Sequence, residues 1–112
     1  MKRAKVWAVM SSYNKLNGTY TAESHWLLNE VLRGDWGFNG VVMSDWFGSR
    51  STAPTVNAGL DLEMPGPTRD RGSKLLAAVE GGEVSVETIR ACVRKYPDFD
   101  GTHRRYQRSS RV

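Results

Sequence analysis

Residues 41–45, VVMSD, constrain this chain more than any other stretch. The run is apolar on successive positions, so both faces of a strand built from it would be buried, as in a parallel strand covered by helices. A parallel partner needs a long crossover, and the sequence supplies one. Residues 6–13 (VWAVMSSY) read as a first strand, short and rich in β-formers. Residues 14–21 (NKLNGTYT) read as a loop around the turn Asn17-Gly18. Residues 22–33 (AESHWLLNEVLR) carry apolar side chains at three- and four-residue intervals, which predicts a helix ended by Gly34. Asn39-Gly40 then turns the chain into 41–45. Further on, residues 51–58 predict a short helical crossover that tolerates Pro54, and residues 60–64 (LDLEM) a third strand stopped by Pro65-Gly66-Pro67. Residues 75–80 and 86–95 predict two helices joined by Gly81-Gly82, the second capped by Ser85, with Ile89 and Val93 on one face. The expected class is α/β, with about three parallel strands and covering helices. So few parallel strands leave an open edge, which points to a piece of a wound sheet or barrel.

The 112 residues are enough for one core. The net charge of +4 is unevenly placed: residues 1–93 hold 10 basic and 10 acidic side chains, residues 94–112 hold 6 and 2. A nucleic-acid binder spreads its basic residues over a folded face; here they crowd one tail, 96–112, which is expected to be disordered. Nucleic acid is therefore not the expected partner, though a basic arm is the alternative reading of that tail. No apolar run approaches the roughly 18 residues of a membrane span. The N-terminus lacks the apolar stretch of a secretory signal, so a cytoplasmic location is favoured. The single cysteine, Cys92, is expected to be a buried, inert thiol. His25 and His103 have no partners at metal-ligand spacing, and phosphate-loop and Gly-x-Ser-x-Gly patterns are absent. Neither a metal nor a cofactor is expected.

Functional groups of wound sheets and barrels collect past the C-terminal strand ends. The three ends here deliver Ser12-Tyr13-Asn14, Ser44-Asp45-Trp46 and Glu63-Met64-Pro65. A carboxylate beside an aromatic platform can hold and cleave a sugar: the ring packs on the C–H face, and the carboxylate attacks an oxocarbenium-like centre. Asp45 is a candidate nucleophile or base, and Tyr13 could donate a hydrogen bond that keeps it ionised. The alternative is that Asp45 caps the following loop and Trp46 fills core. Asp61 and Glu63 share one face of the third strand and are expected to be polar filler or ion-paired; Glu63 as a general acid is a weaker alternative.

Together VMSSYNKLNG (9–18), LLNEVLRGDWGFNGVVMSDWFG (27–48) and NAGLDLEMPGPTR (57–69) resemble family 3 glycoside hydrolases of the β-glucosidase type. The resemblance implies that residues 1–95 form the C-terminal part of a (β/α)8 catalytic barrel, about its sixth to eighth strands. It implies a retaining mechanism on β-glucosides or related oligosaccharides. Asp45 matches the family's nucleophile, Trp46 its sugar-subsite tryptophan and Tyr13 its neighbouring tyrosine. Glu63 and Met64 match the eighth-strand motif, Met64 as a substrate contact. Asp70 stands where the family often has Trp. The family's sugar-binding Lys-His pair, its upstream Asp and Arg, and its acid/base glutamate are expected outside these residues. The missing barrel and second-domain segments, or self-association, would then be needed to complete the site. The isolated chain is expected to turn over slowly or not at all, and a catalytically dead fragment serving as a structural or oligomerising module stays open. The resemblance stops after Lys95, and the tail reads as an out-of-frame or truncated end.

Overall fold

A computed structural model describes residues 3–96. β1 (Ala8–Met10) leads into a hairpin of β2 (Lys15–Leu16) and β3 (Thr19–Tyr20), antiparallel with Lys15 opposite Tyr20. The stretch expected as a loop is thus a hairpin, and Asn17-Gly18 is its two-residue turn. Both turn residues have positive φ, 51° and 84°, the geometry that matches strand twist and favours Asn-Gly.

A 3-10 turn, Thr21–Glu23, precedes a π-helix, Trp26–Asp35. The expected single helix over 22–33 is therefore divided and wider in winding. Its end follows the same pattern: Trp36 N–H bonds Val31 O at 2.9 Å, five residues back. Gly34 lies inside the helix rather than ending it, and the left-handed glycine is Gly37, at φ 66°.

β4 (Val41–Met43) pairs with β1 in parallel, Val9 opposite Val42. Gly40 permits the approach, because a Cβ there would lie 2.2 Å from Trp7 O. The third strand is reduced to one parallel bridge, Met43 to Leu62, with Ser44 N–H bonded to Leu62 O at 2.9 Å. The count of about three parallel strands is corrected accordingly: two strands and a bridge. Pro65, which has no N–H to offer a ladder, and the turns after it cut the pairing short.

α1 (Ala53–Ala58) crosses from β4 to this bridge and ends on Gly59, whose φ of 100° only glycine adopts readily. α2 (Ser73–Glu80) and α3 (Val86–Arg94) follow, and Ser85 accepts the Thr88 N–H as the expected N-cap. One core gathers Leu28, Leu32, Phe38, Val42 and Leu60; a second gathers Ala53, Val56, Ala78 and Val84.

Asp61 stitches these elements together. Its side chain has no exposed surface, yet it pairs with Arg33 at 2.7 Å and Lys95 at 2.8 Å and accepts Val42 N–H at 2.8 Å. That answers the desolvation cost that would otherwise oppose burying a carboxylate, and it bears out the expectation of an ion-paired Asp61. Cys92 is buried as expected, and loss of solvent raises its thiol pKa, with Asp61 adding to the effect. Among the described residues, no helix is long and apolar enough to cross a membrane, and no three His, Cys, Asp or Glu side chains are grouped as a metal ion would need. Apart from Tyr96, the expectations for the tail 96–112 lie outside the described residues.

Candidate active site

Parallel register decides which strand ends meet. Met10 stands opposite Met43, and Met43 opposite Leu62, so the residues that follow each emerge side by side. The first end is tied down by the hairpin. Ser12 N–H bonds Thr21 Oγ1 at 3.1 Å, Thr21 Oγ1 donates to Ser12 O at 2.7 Å, and Ser12 Oγ donates to Asn14 Oδ1 at 2.6 Å. This fixes Tyr13, which then reaches 33 residues ahead: its hydroxyl donates to Trp46 O at 2.8 Å.

The second end is a tight turn over 45–48, closed by Gly48 N–H on Asp45 O at 2.9 Å. Asp45 Oδ1 accepts Trp46 N–H at 2.7 Å. So Asp45 does bond the following loop, as the structural alternative required. Trp46, however, is not core: 61% of its surface is exposed, and Tyr13 and Phe47 beside it are about half exposed. Phe47 has φ 59°, a left-handed conformation that a bulky aromatic adopts at a cost on the order of 1–3 kcal/mol. Sequence reasoning missed Phe47, because no residue type announces a strained backbone.

The Tyr13 pKa lies above the ordinary phenol value: the nearby Asp45 carboxylate favours the neutral, hydrogen-bonding form of the phenol, with smaller contributions from lost solvent and the carboxylate's charge, while the hydroxyl's own proton goes to Trp46 O. The arrangement is a half-exposed carboxylate with a phenol on one side and an open indole on the other, all at one end of the sheet.

The third end is reached through Ser44, another residue sequence reasoning passed over. Its Oγ accepts Met64 N–H at 2.8 Å, while Met64 O accepts Phe47 N–H at 3.0 Å. Met64 thus adjoins the turn through its backbone. It also lines a groove of about 440 Å3 with Leu62, Leu75, Ile89 and Val93. Glu63 borders the same groove, and its carboxylate accepts from Thr68 Oγ1 at 2.5 Å and from the N–H groups of Asp70 at 3.0 Å and Arg69 at 3.3 Å. It is a loop anchor, and the weaker reading of Glu63 as a general acid finds no free carboxyl here.

The family described as "Glycosyl hydrolase family 3 N terminal domain" matches residues 1–96. A beta-glucosidase of Rhizobium radiobacter is 72% identical over 95 residues, 85% of this chain and 12% of that protein. The probable beta-glucosidase J of Neosartorya fischeri is 54% identical over 95 residues, 85% of this chain and 11% of its own length. Among solved structures, the GH3 beta-glucosidase of Bifidobacterium adolescentis superposes with a TM-score of 0.81 at 37% identity, over 92% of this chain and 15% of that one. Beta-glucosidase 3B of Thermotoga neapolitana, in complex with α-D-glucose, gives 0.80 at 39% identity, over 89% and 16%. The chain spans about an eighth of the length of the curated relatives it matches.

Proposed function

The chain belongs to glycosyl hydrolase family 3, and we propose that residues 1–95 are part of a (β/α)8 catalytic barrel that hydrolyses β-glucosides with retention, with Asp45 as the nucleophile. The observation that carries this reading is the meeting of Asp45, Tyr13 and Trp46 at adjacent parallel strand ends. The β-glucosidase names of the relatives support the substrate class.

In the proposed reaction, an Asp45 oxygen attacks the anomeric carbon while the bond to the leaving oxygen breaks, forming a glycosyl ester. Water then cleaves the ester and restores the carboxylate. Trp46 offers its open face to the C–H side of the sugar, and Met64 adds an apolar contact near the turn. Tyr13 steers and steadies the nucleophile. The leaving oxygen needs a proton from a second carboxyl about 5–5.5 Å away. Glu63 is committed to its loop, so that acid comes from further polypeptide.

Association fits the open surfaces. The outer edge of β1 exposes Trp7 and Met10, and the groove beside Met64 is apolar. Unpaired edges of this kind invite another strand, here the remaining barrel segments or a second copy. Without them the chain is expected to be weakly active, and an inactive, associating module is the second reading that these edges favour.

An aryl β-glucoside with a dinitrophenolate leaving group tests the proposal, because that group departs with little help from an acid. A burst of dinitrophenolate stoichiometric with the chain, absent in Asp45→Ala, is the expected result. An equal burst in Asp45→Ala, or none from folded wild type, would overturn it.

A further inference from the structure

Resting on the reading of Asp45 as nucleophile, we propose that Glu63 and Arg69 act as positioning residues, a brace that holds the Asp45–Gly48 turn in its working shape. A turn with an aromatic residue at positive φ persists only if its surroundings over-determine it. One restraint is the Phe47 N–H bond to Met64 O at 3.0 Å. Tyr13 O–H on Trp46 O is another, and the turn's own bonds at Asp45 add to it; the remaining restraints come from a single side chain on the irregular segment between Pro67 and Gly72.

Arg69 Nη2 donates to Phe47 O at 3.3 Å and to Ser49 O, spanning both flanks of Gly48. Its guanidinium also lies over the Phe47 ring, 5.3 Å from the centroid. Two carbonyls and one ring are thus gripped by one planar cation. Lysine, a point charge without the fork, would not reproduce that grip.

Arg69 needs an anchor of its own, because its segment forms no helix or strand. Glu63 provides it. The carboxylate accepts from Thr68 Oγ1, Arg69 N–H and Asp70 N–H, three successive residues, and Thr68 Oγ1 in turn accepts Arg71 N–H at 3.0 Å. Thr52 Oγ1 fastens the far side by donating to Asp70 O at 2.6 Å. Contacts therefore run from the third strand end, through the 68–70 loop, to the turn that presents Asp45. Glu63, the second acidic residue of the LDLEMP stretch, acts on the site without touching the reacting atoms.

The test uses the full 112-residue chain and two readouts. The first is the titration of Tyr13, followed by NMR of the tyrosine ring ζ-carbons and assigned with Tyr13→Phe. It reports how closely Asp45 is held to the phenol and needs no catalysis. Arg69→Ala and Glu63→Gln should each lower the Tyr13 pKa toward the ordinary phenol value, with far-UV circular dichroism unchanged. Arg90→Ala, which breaks only an exposed pair with Glu87 on α3, should not. The second readout is the rate of adduct formation with 2-deoxy-2-fluoroglucosyl fluoride. It should fall by roughly a hundredfold in Arg69→Ala, as for a displaced reacting group, and recover only partly in Arg69→Lys. A Tyr13 titration identical to wild type in both folded variants would overturn the brace. If wild type itself forms no adduct, the nucleophile reading fails while the Tyr13 titration still decides the brace.

Discussion

Asp45 and Asp61 are both aspartates at strand ends of one small parallel sheet, and they live opposite lives. Asp61 has no exposed side-chain surface and is saturated by Arg33, Lys95 and the Val42 N–H. Asp45 is half-buried, bonds the N–H next to it, and stands beside an open indole and a phenol. A carboxylate whose partners are cations from distant elements is spent on holding the fold. One whose neighbours are a phenol and a solvent-facing ring is not spent that way. The difference comes from position, not from residue type: Asp61 precedes the Leu62 bridge, beside Val42, whereas Asp45 follows the C-terminal end of β4.

The largest expected effect breaks the comparison at Asp61. Asp61→Ala leaves Arg33 and Lys95 facing each other without an anion and should cost about 3–5 kcal/mol in urea unfolding. Asp45→Ala should change stability by less than about 0.5 kcal/mol while abolishing sugar-ester formation. Equal stability losses would erase the distinction. Next in size, replacing Arg33 and Asp61 together, as Arg33→Met with Asp61→Leu, should cost clearly less than the sum of the single changes, because Arg33, the more buried of the two cations on Asp61, is no longer left charged without its carboxylate; only Lys95 loses its partner. Strict additivity in the double-mutant cycle would contradict the pairing.

A pH measurement sharpens the Asp45 side. The raised Tyr13 pKa means the folded state favours the neutral phenol. Any stability this contributes is present below the ordinary phenol pKa of about 10 and is lost as pH rises through the higher folded value. Asp45→Asn should bring the Tyr13 titration down toward 10; no shift would separate the two groups. Smallest of all, Trp46→Ala should alter the unfolding midpoint little, since most of the ring is exposed, yet weaken glucose binding followed by NMR line shifts. A large stability loss would return Trp46 to the core.

Much of this was legible from local pattern. The unbroken apolar run at 41–43 announced the central strand, and the carboxylate after it proved to stand at the sheet end with Tyr13. The Ser85 cap needs only a residue type in place before an apolar face. What escaped depends on distance or on backbone. A four-residue apolar spacing suits α and π windings alike, so the π-helix at Trp26–Asp35 could not be told from an α-helix. Asn17-Gly18 was visible as a turn, but two-residue strands on either side carry too little alternation to declare a hairpin. Lys95 lies 34 residues from Asp61, and nothing local pairs them. Arg69 stood within a recognised motif, but its grip on Phe47 and Ser49 exists only once the loop has folded.

The central claim is that Asp45 is the nucleophile. Folded chain incubated with 2-deoxy-2-fluoroglucosyl fluoride, then digested and mapped by mass spectrometry, tests it most directly, because the trapped ester marks the attacking oxygen. The prediction is one fluoroglucosyl unit on the peptide that contains Asp45, absent from Asp45→Ala. An ester on Glu63 or any other carboxyl, or no ester on a chain shown to be folded, would contradict it.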